Sequence, residues 1–329
     1  MRIFTLICLA AVAVTAIGAD LPRPQEVRIQ PASDEGKRAM KGFKLADGLS
    51  VDLIAAEPLL ANPVAFDIDE KGNFYVVESF RLHKGVTDIR QHMNWLDEEL
   101  ASQSVEDMRK MFYRHKVKGL TDYSDRVRLL VDTNDDGILD KATVFADGFN
   151  GEVDGLAAGV LPRDGKVWFT NIPHLWLLED ADGDGVAERR FVLREDLDSP
   201  SGLAWGDGTL YIANHDEVLA FDYELGATRL AGEGRKIADL AEGTGHWMRN
   251  LALHPDGDRL YAAVGSKSNI AEDGLEIEEG RALIWEINLE SGRQRVFGVG
   301  LRNANGLDFS PWSGELWTTV NERDMLGSD

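Results

Sequence analysis

Short apolar runs alternate with polar ones along most of this chain, and glycine-bearing turns break them at regular intervals. Five segments share one form: an apolar run, a turn containing Gly, then an apolar run with an aromatic residue. They are Pro63–Ser79, Gly155–Thr170, Gly202–Asn214, Asn250–Gly265 and Gly306–Val320. Period-two runs flanking Asp-Gly or Ser-Gly predict β-hairpins, because those dipeptides suit the left-handed backbone of a tight hairpin turn. The equivalent aromatics are Tyr75, Trp168, Tyr211, Tyr261 and Trp317, at spacings of 93, 43, 50 and 56 residues. Spacings of 43 to 56 residues suit one four-stranded blade each, so the pattern predicts an all-β propeller. The trailing hairpin reaches the end of the sequence before a ring of blades would close. The expectation is a propeller, 41–329, incomplete at its C-terminus.

The 93-residue interval holds an insertion, 81–124. Ser104 followed by Asp107 reads as a helix N-cap, and Val105, Met108, Met111 and Phe112 recur at helical spacing. One or two amphipathic helices are expected over a propeller face. Residues 1–19 have a basic start, an apolar run from Ile3 to Ala16 and a small-residue exit, which reads as a secretory signal peptide. The expectations are a periplasmic or secreted protein, a linker at 20–40, and no transmembrane segment in the mature chain. The single cysteine, Cys8, falls inside the signal, so the mature chain holds no disulfide, thiolate nucleophile or thioether-linked haem. A net charge of −22 argues against nucleic acid as a partner.

Part of that acidity lies in two near-copies, Asp132-Thr-Asn134-Asp-Asp136-Gly-Ile-Leu-Asp140 and Asp180-Ala-Asp182-Gly-Asp184-Gly-Val-Ala-Glu188. Oxygen-bearing side chains at positions 1, 3, 5 and 9 around a Gly at 6 suit Ca²⁺, a hard cation that takes six to eight oxygens. Position 12 is Thr143 or Phe191 rather than Glu, which excludes EF-hands. The alternative is a pair of acidic turns held by Asp and Asn bonds to their own backbone. No G-x-S-x-G elbow, HExxH helix, Walker loop or strand-linked GxGxxG is present. One histidine stands in distinctive company: His246 opens His246-Trp247-Met248-Arg249-Asn250-Leu251, just before an expected inner strand. Polar groups at Lys267, Asn269, Arg302 and Asn303 fall at strand ends of successive blades, where they can converge on one channel mouth. An imidazole with several cations is what proton abstraction beside an anionic cofactor requires.

These runs, with Val264–Asn269, Gly300–Leu307 and Val320–Asp324, resemble the sorbosone dehydrogenase branch of the glucose/sorbosone dehydrogenase family. Ala46–Pro58, Asn62–Ser79 and the two acidic loops are also similar to the membrane-bound dehydrogenase-type propellers of planctomycetes and verrucomicrobia. The resemblance implies a six-bladed propeller carrying pyrroloquinoline quinone (PQQ) and calcium, with a sugar or related alcohol or aldehyde as substrate and a cytochrome as possible electron acceptor. It implies His246 as general base, Arg249 orienting it or the substrate, and Lys267, Asn269, Arg281, Arg302 and Asn303 around the quinone. Arg281 stands where the glucose dehydrogenases have Lys, and Ser268-Asn269 where they have Arg-Asn. Two other readings stay open: a non-catalytic binding or electron-relay propeller of a larger haem protein, and a calcium-dependent lactonase using Glu78, Asp154 and Asn214.

Overall fold

A computed structural model describes residues 23–243 and 245–324. The signal segment and Cys8 lie outside the described residues. The strands are β1 (Pro63–Ile68), β2 (Phe74–Glu78), β3 (Asp125–Val131) and β4 (Lys141–Phe149), then β5 (Ala157–Arg163), β6 (Lys166–Asn171), β7 (His174–Glu179) and β8 (Arg189–Arg194). They continue as β9 (Gly202–Gly206), β10 (Thr209–Ala213), β11 (Glu217–Asp222), β12 (Arg235–Asp239), β13 (Arg249–Leu253), β14 (Arg259–Val264), β15 (Leu283–Asn288) and β16 (Gln294–Val299). A last hairpin is β17 (Asn303–Phe309) with β18 (Leu316–Asn321). Each successive four form one antiparallel sheet in chain order, so the described residues make four blades and the hairpin of a fifth. The first strands, β1, β5, β9, β13 and β17, adjoin in that order and line the axis. The propeller architecture expected from the alternation is therefore present, while a sixth blade is not among the described residues.

All five expected hairpins are the first two strands of a blade. The β5–β6 and β9–β10 turns show why Asp-Gly marks them. Asp164 and Gly165 have φ of 49° and 71°, and Asp207 and Gly208 have 49° and 73°. Two consecutive left-handed residues make the turn whose twist matches the flanking strands. Aromatic and aliphatic side chains then fill the space between neighbouring sheets. Tyr75, Val127, Leu129 and Phe145 of the first blade meet Val160, Phe169, Trp176 and Leu178 of the second. Fully burying a Leu or Phe of such a layer stabilises by roughly 1.5–3 kcal/mol. At the axis the backbones approach so closely that a Cβ on Gly202 would lie 2.7 Å from the Arg249 carbonyl oxygen.

The insertion joins β2 to β3 and contains helices α2 (Leu96–Ala101) and α3 (Val105–Arg114). Ser104 caps α3 by accepting from the Asp107 amide and donating to its carboxylate, as the sequence pattern predicts. Met111 and Phe112 pack with Trp95 and Leu120 in a small core that reaches Val153 of the propeller. Arg81 anchors the insertion: its buried guanidinium donates to the carbonyls of Leu120, Tyr123, Gly85, Gly151 and Asp154. Because each blade is an antiparallel meander, its connections alternate between two ends. The insertion and the segments carrying His246 and Lys267 share one end, the mouth. The acidic loops, between third and fourth strands, lie at the other.

Candidate functional site at the channel mouth

His246 sits in the connection between the third and fourth blades, three residues before β13, and its tautomer is fixed by what surrounds it. Nδ1 lies 2.9 Å from the Ser266 carbonyl oxygen and 3.1 Å from Ser266 Oγ. The carbonyl can only accept, and Ser266 Oγ gives its own proton to the Ser268 carbonyl at 2.6 Å. Nδ1 therefore carries the hydrogen, and in the neutral ring Nε2 holds the free lone pair. Nε2 has no partner among the described residues. Gly265 makes room for this arrangement: a Cβ there would lie 2.6 Å from both the His246 Cβ and Asn303 Oδ1. Asn303, the first residue of β17, is thus brought beside His246 across two blades. Its Oδ1 is buried without a hydrogen-bond partner among the described residues.

The same loops gather most of the other expected site residues, with different employment. Ser266 links His246 to Arg302, whose carbonyl accepts from the Ser266 amide at 2.6 Å. Arg302 donates to the carbonyls of Asn269, Asn321 and Glu322 and pairs with Asp324 at 3.3 Å. Asn269 Oδ1 accepts from the Asp324 amide. These two residues clasp the β14–β15 connection to the end of β18. Lys267 is exposed and forms no ion pair among the described residues, so its ammonium is open to a ligand. Glu278, which sequence reasoning missed, accepts from the Lys267 and Ser268 amides and from Ser268 Oγ, and so shapes this turn.

Two expected site residues have their guanidiniums bonded to backbone carbonyls. Arg249 is fully buried and donates to the carbonyls of His246, Met248 and Ala241. Burial, then repulsion from Arg281, pushes its guanidinium down to about 10, with Asp216 opposing. It holds the His246 loop, in keeping with the expectation that it orients His246. Arg281, also buried, donates to the carbonyls of Gly265, Glu242 and Gly243. The lactonase set fails at Glu78, which is fully buried with its carboxylate taken by Arg126, Arg128 and the Ala61 amide. Asn214 is buried, and Asp154 caps its own turn by accepting from the Gly151 amide at 2.8 Å.

At the opposite end the two acidic loops share a fold. Asp132 accepts from the Gly137 amide at 2.7 Å and Asp180 from the Gly185 amide at 2.9 Å, while positions 3 and 5 accept from amides two residues on. Asp140 and Glu188 close their loops by accepting from the amides of Thr133 and Ala181. Only in the second loop do four carboxylates, of Asp180, Asp182, Asp184 and Glu188, each bring an oxygen within 4.8 Å of the others. The acids Asp132, Asp136 and Asp140 of the first loop, which Asn134 accompanies, do not form such a group.

A family model described as a domain of unknown function, DUF7133, matches residues 35–314. The chain belongs to the DUF7133 family. An uncharacterized protein of Borreliella burgdorferi is 24% identical over 149 residues, which is 42% of the DUF7133 chain and 38% of that relative. Among solved structures, an iodide structure of a Trichoderma reesei carbohydrate-active enzyme of family AA12 is 21% identical, covering 52% of this chain and 47% of that one with a TM-score of 0.47. The PQQ domain of a pyranose dehydrogenase from Coprinopsis cinerea is 19% identical, covering 51% and 44% with a TM-score of 0.46. The matched region spans less than half the length of each of these three proteins. Likeness at that level carries no argument about chemistry. No helix among the described residues is long and apolar enough to cross a membrane.

Proposed function

We propose that this DUF7133 protein is an exported dehydrogenase-type propeller in which His246 takes the proton from a hydroxyl of a sugar or related alcohol or hydrated aldehyde. One observation carries the reading. The Ser266 carbonyl and hydroxyl hold Nδ1–H, so Nε2 is a preset acceptor at the channel mouth. The quinone named by the resemblance would supply the hydride acceptor when bound. The described residues fit it in part: Lys267 offers an open cation and Asn303 an orphaned amide oxygen, whereas Arg249 and Arg281 are committed to carbonyls. A quinone with several carboxylates needs more cations than this. What this chain's own residues do is orient one imidazole, with Arg249 and Gly265 fixing its loop.

The test is dye reduction by the full-length protein supplied with PQQ and Ca²⁺ and a panel of aldoses. Removing a general base costs typically 10²–10⁴-fold in rate. His246→Ala should lose that factor while binding substrate, and Lys267→Gln should weaken cofactor binding. Turnover undiminished in His246→Ala would remove the base assignment. A second reading, a propeller that binds without reacting, is favoured by the carbonyl-bound arginines. Saturable cofactor or sugar binding with no turnover would establish it.

A further inference from the structure

Another imidazole of the mouth end, His215, belongs to the third blade. Asp198 precedes β9, and His215 and Asp216 lie in the short connection between β10 and β11. These three side chains each place one possible ligand atom within 4.8 Å of the others. The His215 amide donates to the Asp198 carbonyl at 3.0 Å, and the Leu240 amide to the Asp216 carbonyl at 2.6 Å, so the backbone already joins the three. His215 Nε2 lies 3.0 Å from the Gly243 carbonyl oxygen, an acceptor that also receives Arg281 Nη2 at 2.9 Å. A carbonyl cannot donate, so Nε2 bears the hydrogen and Nδ1 is the lone-pair nitrogen of the neutral ring. A ring nitrogen that gives its hydrogen to a carbonyl outside the cluster is the usual support of a metal-bound histidine.

What separates this group from the other carboxylate clusters is that its acids have neither a direct ion pair nor amide lacing among the described residues, although Arg249 and Lys236 act on Asp216 through space. The cluster of His254, Asp256 and Asp258 has Arg259 within it, 2.9 Å from Asp258 and 3.7 Å from Asp256. The cluster of Asp180, Asp182, Asp184 and Glu188 is laced by backbone amides. Neither Asp198 nor Asp216 pairs with a Lys or Arg among the described residues, and the one side-chain bond of Asp198 is to Ser199 Oγ. Asn214, the residue before His215, is also buried with Oδ1 unpartnered among the described residues. Two carboxylates and an imidazole thus meet with no Lys or Arg bonded among them in the described residues.

We infer that Asp198, His215 and Asp216 form a site for a divalent metal that accepts mixed nitrogen and oxygen ligands, Zn²⁺ above all. Imidazole donors favour zinc and its neighbours, while Ca²⁺ and Mg²⁺ prefer oxygen alone. Tetrahedral ligands at about 2.0–2.1 Å stand about 3.4 Å apart, so binding draws the three atoms inward. Asp198, the exposed member, has room to move. The metal would fix His215 and, through the Gly243 carbonyl, the loop that leads to His246. The site stands whether or not His246 is a base.

Zinc titration of the full-length protein by calorimetry, with millimolar Ca²⁺ present to occupy oxygen-only sites, tests the assignment. One equivalent should bind, and Co²⁺ in its place should show the visible absorption of a nitrogen- and oxygen-ligated ion. Asp198→Asn and Asp216→Asn should each weaken zinc binding at least tenfold, with the folded spectrum unchanged. Asp256→Asn and Asp184→Asn should leave it as in the parent. Absence of zinc binding would overturn the assignment. Zinc binding unchanged by Asp198→Asn and Asp216→Asn also overturns it.

Discussion

The two ends of this propeller solve opposite problems. At the mouth, long connections without a strand partner leave carbonyl oxygens that no ladder amide can reach, and buried backbone acceptors must be satisfied. Arg81 and Arg281 do this by bridging carbonyls of separate segments, and Arg249 by gathering three carbonyls of one connection. At the far end, tight turns and nine-residue loops leave amides pointing inward, and Asp and Asn side chains accept from them. Arginines thus saturate carbonyls at the mouth, beside carboxylates such as Glu278 and Asp154 that accept amides there, whereas in the far-end loops carboxylates do this work. A cluster of arginines in a sequence therefore marks long loops as readily as it marks an anion site.

The largest expected effect tests the mouth half of that contrast. Arg249→Met keeps much of the volume but strands three carbonyls, each unsatisfied buried group costing about 1–3 kcal/mol. Urea unfolding should show a loss of about 3 kcal/mol or more. A residue held ready for a ligand would instead lose little stability, so a change under about 0.5 kcal/mol would return Arg249 to the ligand-binding set. Arg302→Met should cost less, because the Arg302 loops are partly open to water.

Next comes the far end, where two loops of one sequence pattern differ in setting. The second loop docks on the neighbouring blade, its Ala187 amide donating to the Phe145 carbonyl at 2.8 Å, and its carboxylates converge. The first docks on the N-terminal segment, its Leu139 amide meeting the Ile54 carbonyl at 2.9 Å, and its acids stay apart. Calcium at a hundredfold over its dissociation constant stabilises by about 2.7 kcal/mol. Thermal unfolding with and without Ca²⁺ should show that gain lost in Asp184→Asn and largely kept in Asp136→Asn. Equal losses would make the two loops equivalent.

Much of the fold was legible because its signals are local. Asp164-Gly165 and Asp207-Gly208 specify their hairpins from four residues, and Ser104 with Asp107 specifies the start of α3. The site was legible only in part, for a physical reason. That His246 precedes an inner strand follows from pattern, but its tautomer depends on Ser266, twenty residues on, and that connection is tertiary. The roles of Arg249 and Arg281 depend on which carbonyls their loops leave unpaired, which no spacing rule encodes. The pairing of His215 with Asp198 crosses two connections and has no motif.

The smallest effect sharpens the charge side of the comparison. At the far end Tyr75 is pushed up to about 12 by burial and then by Asp69, Asp180 and Glu70. Asp67, part-exposed on β1, has its carboxyl raised to about 6, first by burial, with Asp308 and Glu70 adding repulsion against the Ile68 amide and Arg163. A carboxyl raised in the fold above its unfolded value of 3.8 favours the folded state in its neutral form. That stability is fully present below pH 3.8 and is lost as pH rises through about 6. Asp67→Asn imitates the neutral form and keeps an oxygen for the Ile68 amide, which Asp67 Oδ1 meets at 2.8 Å. The variant should match the parent near pH 4 and exceed it by on the order of 1–2 kcal/mol at pH 8. A stability difference between variant and parent that stays flat from pH 4 to 8 would show that the acids at this end are screened from one another.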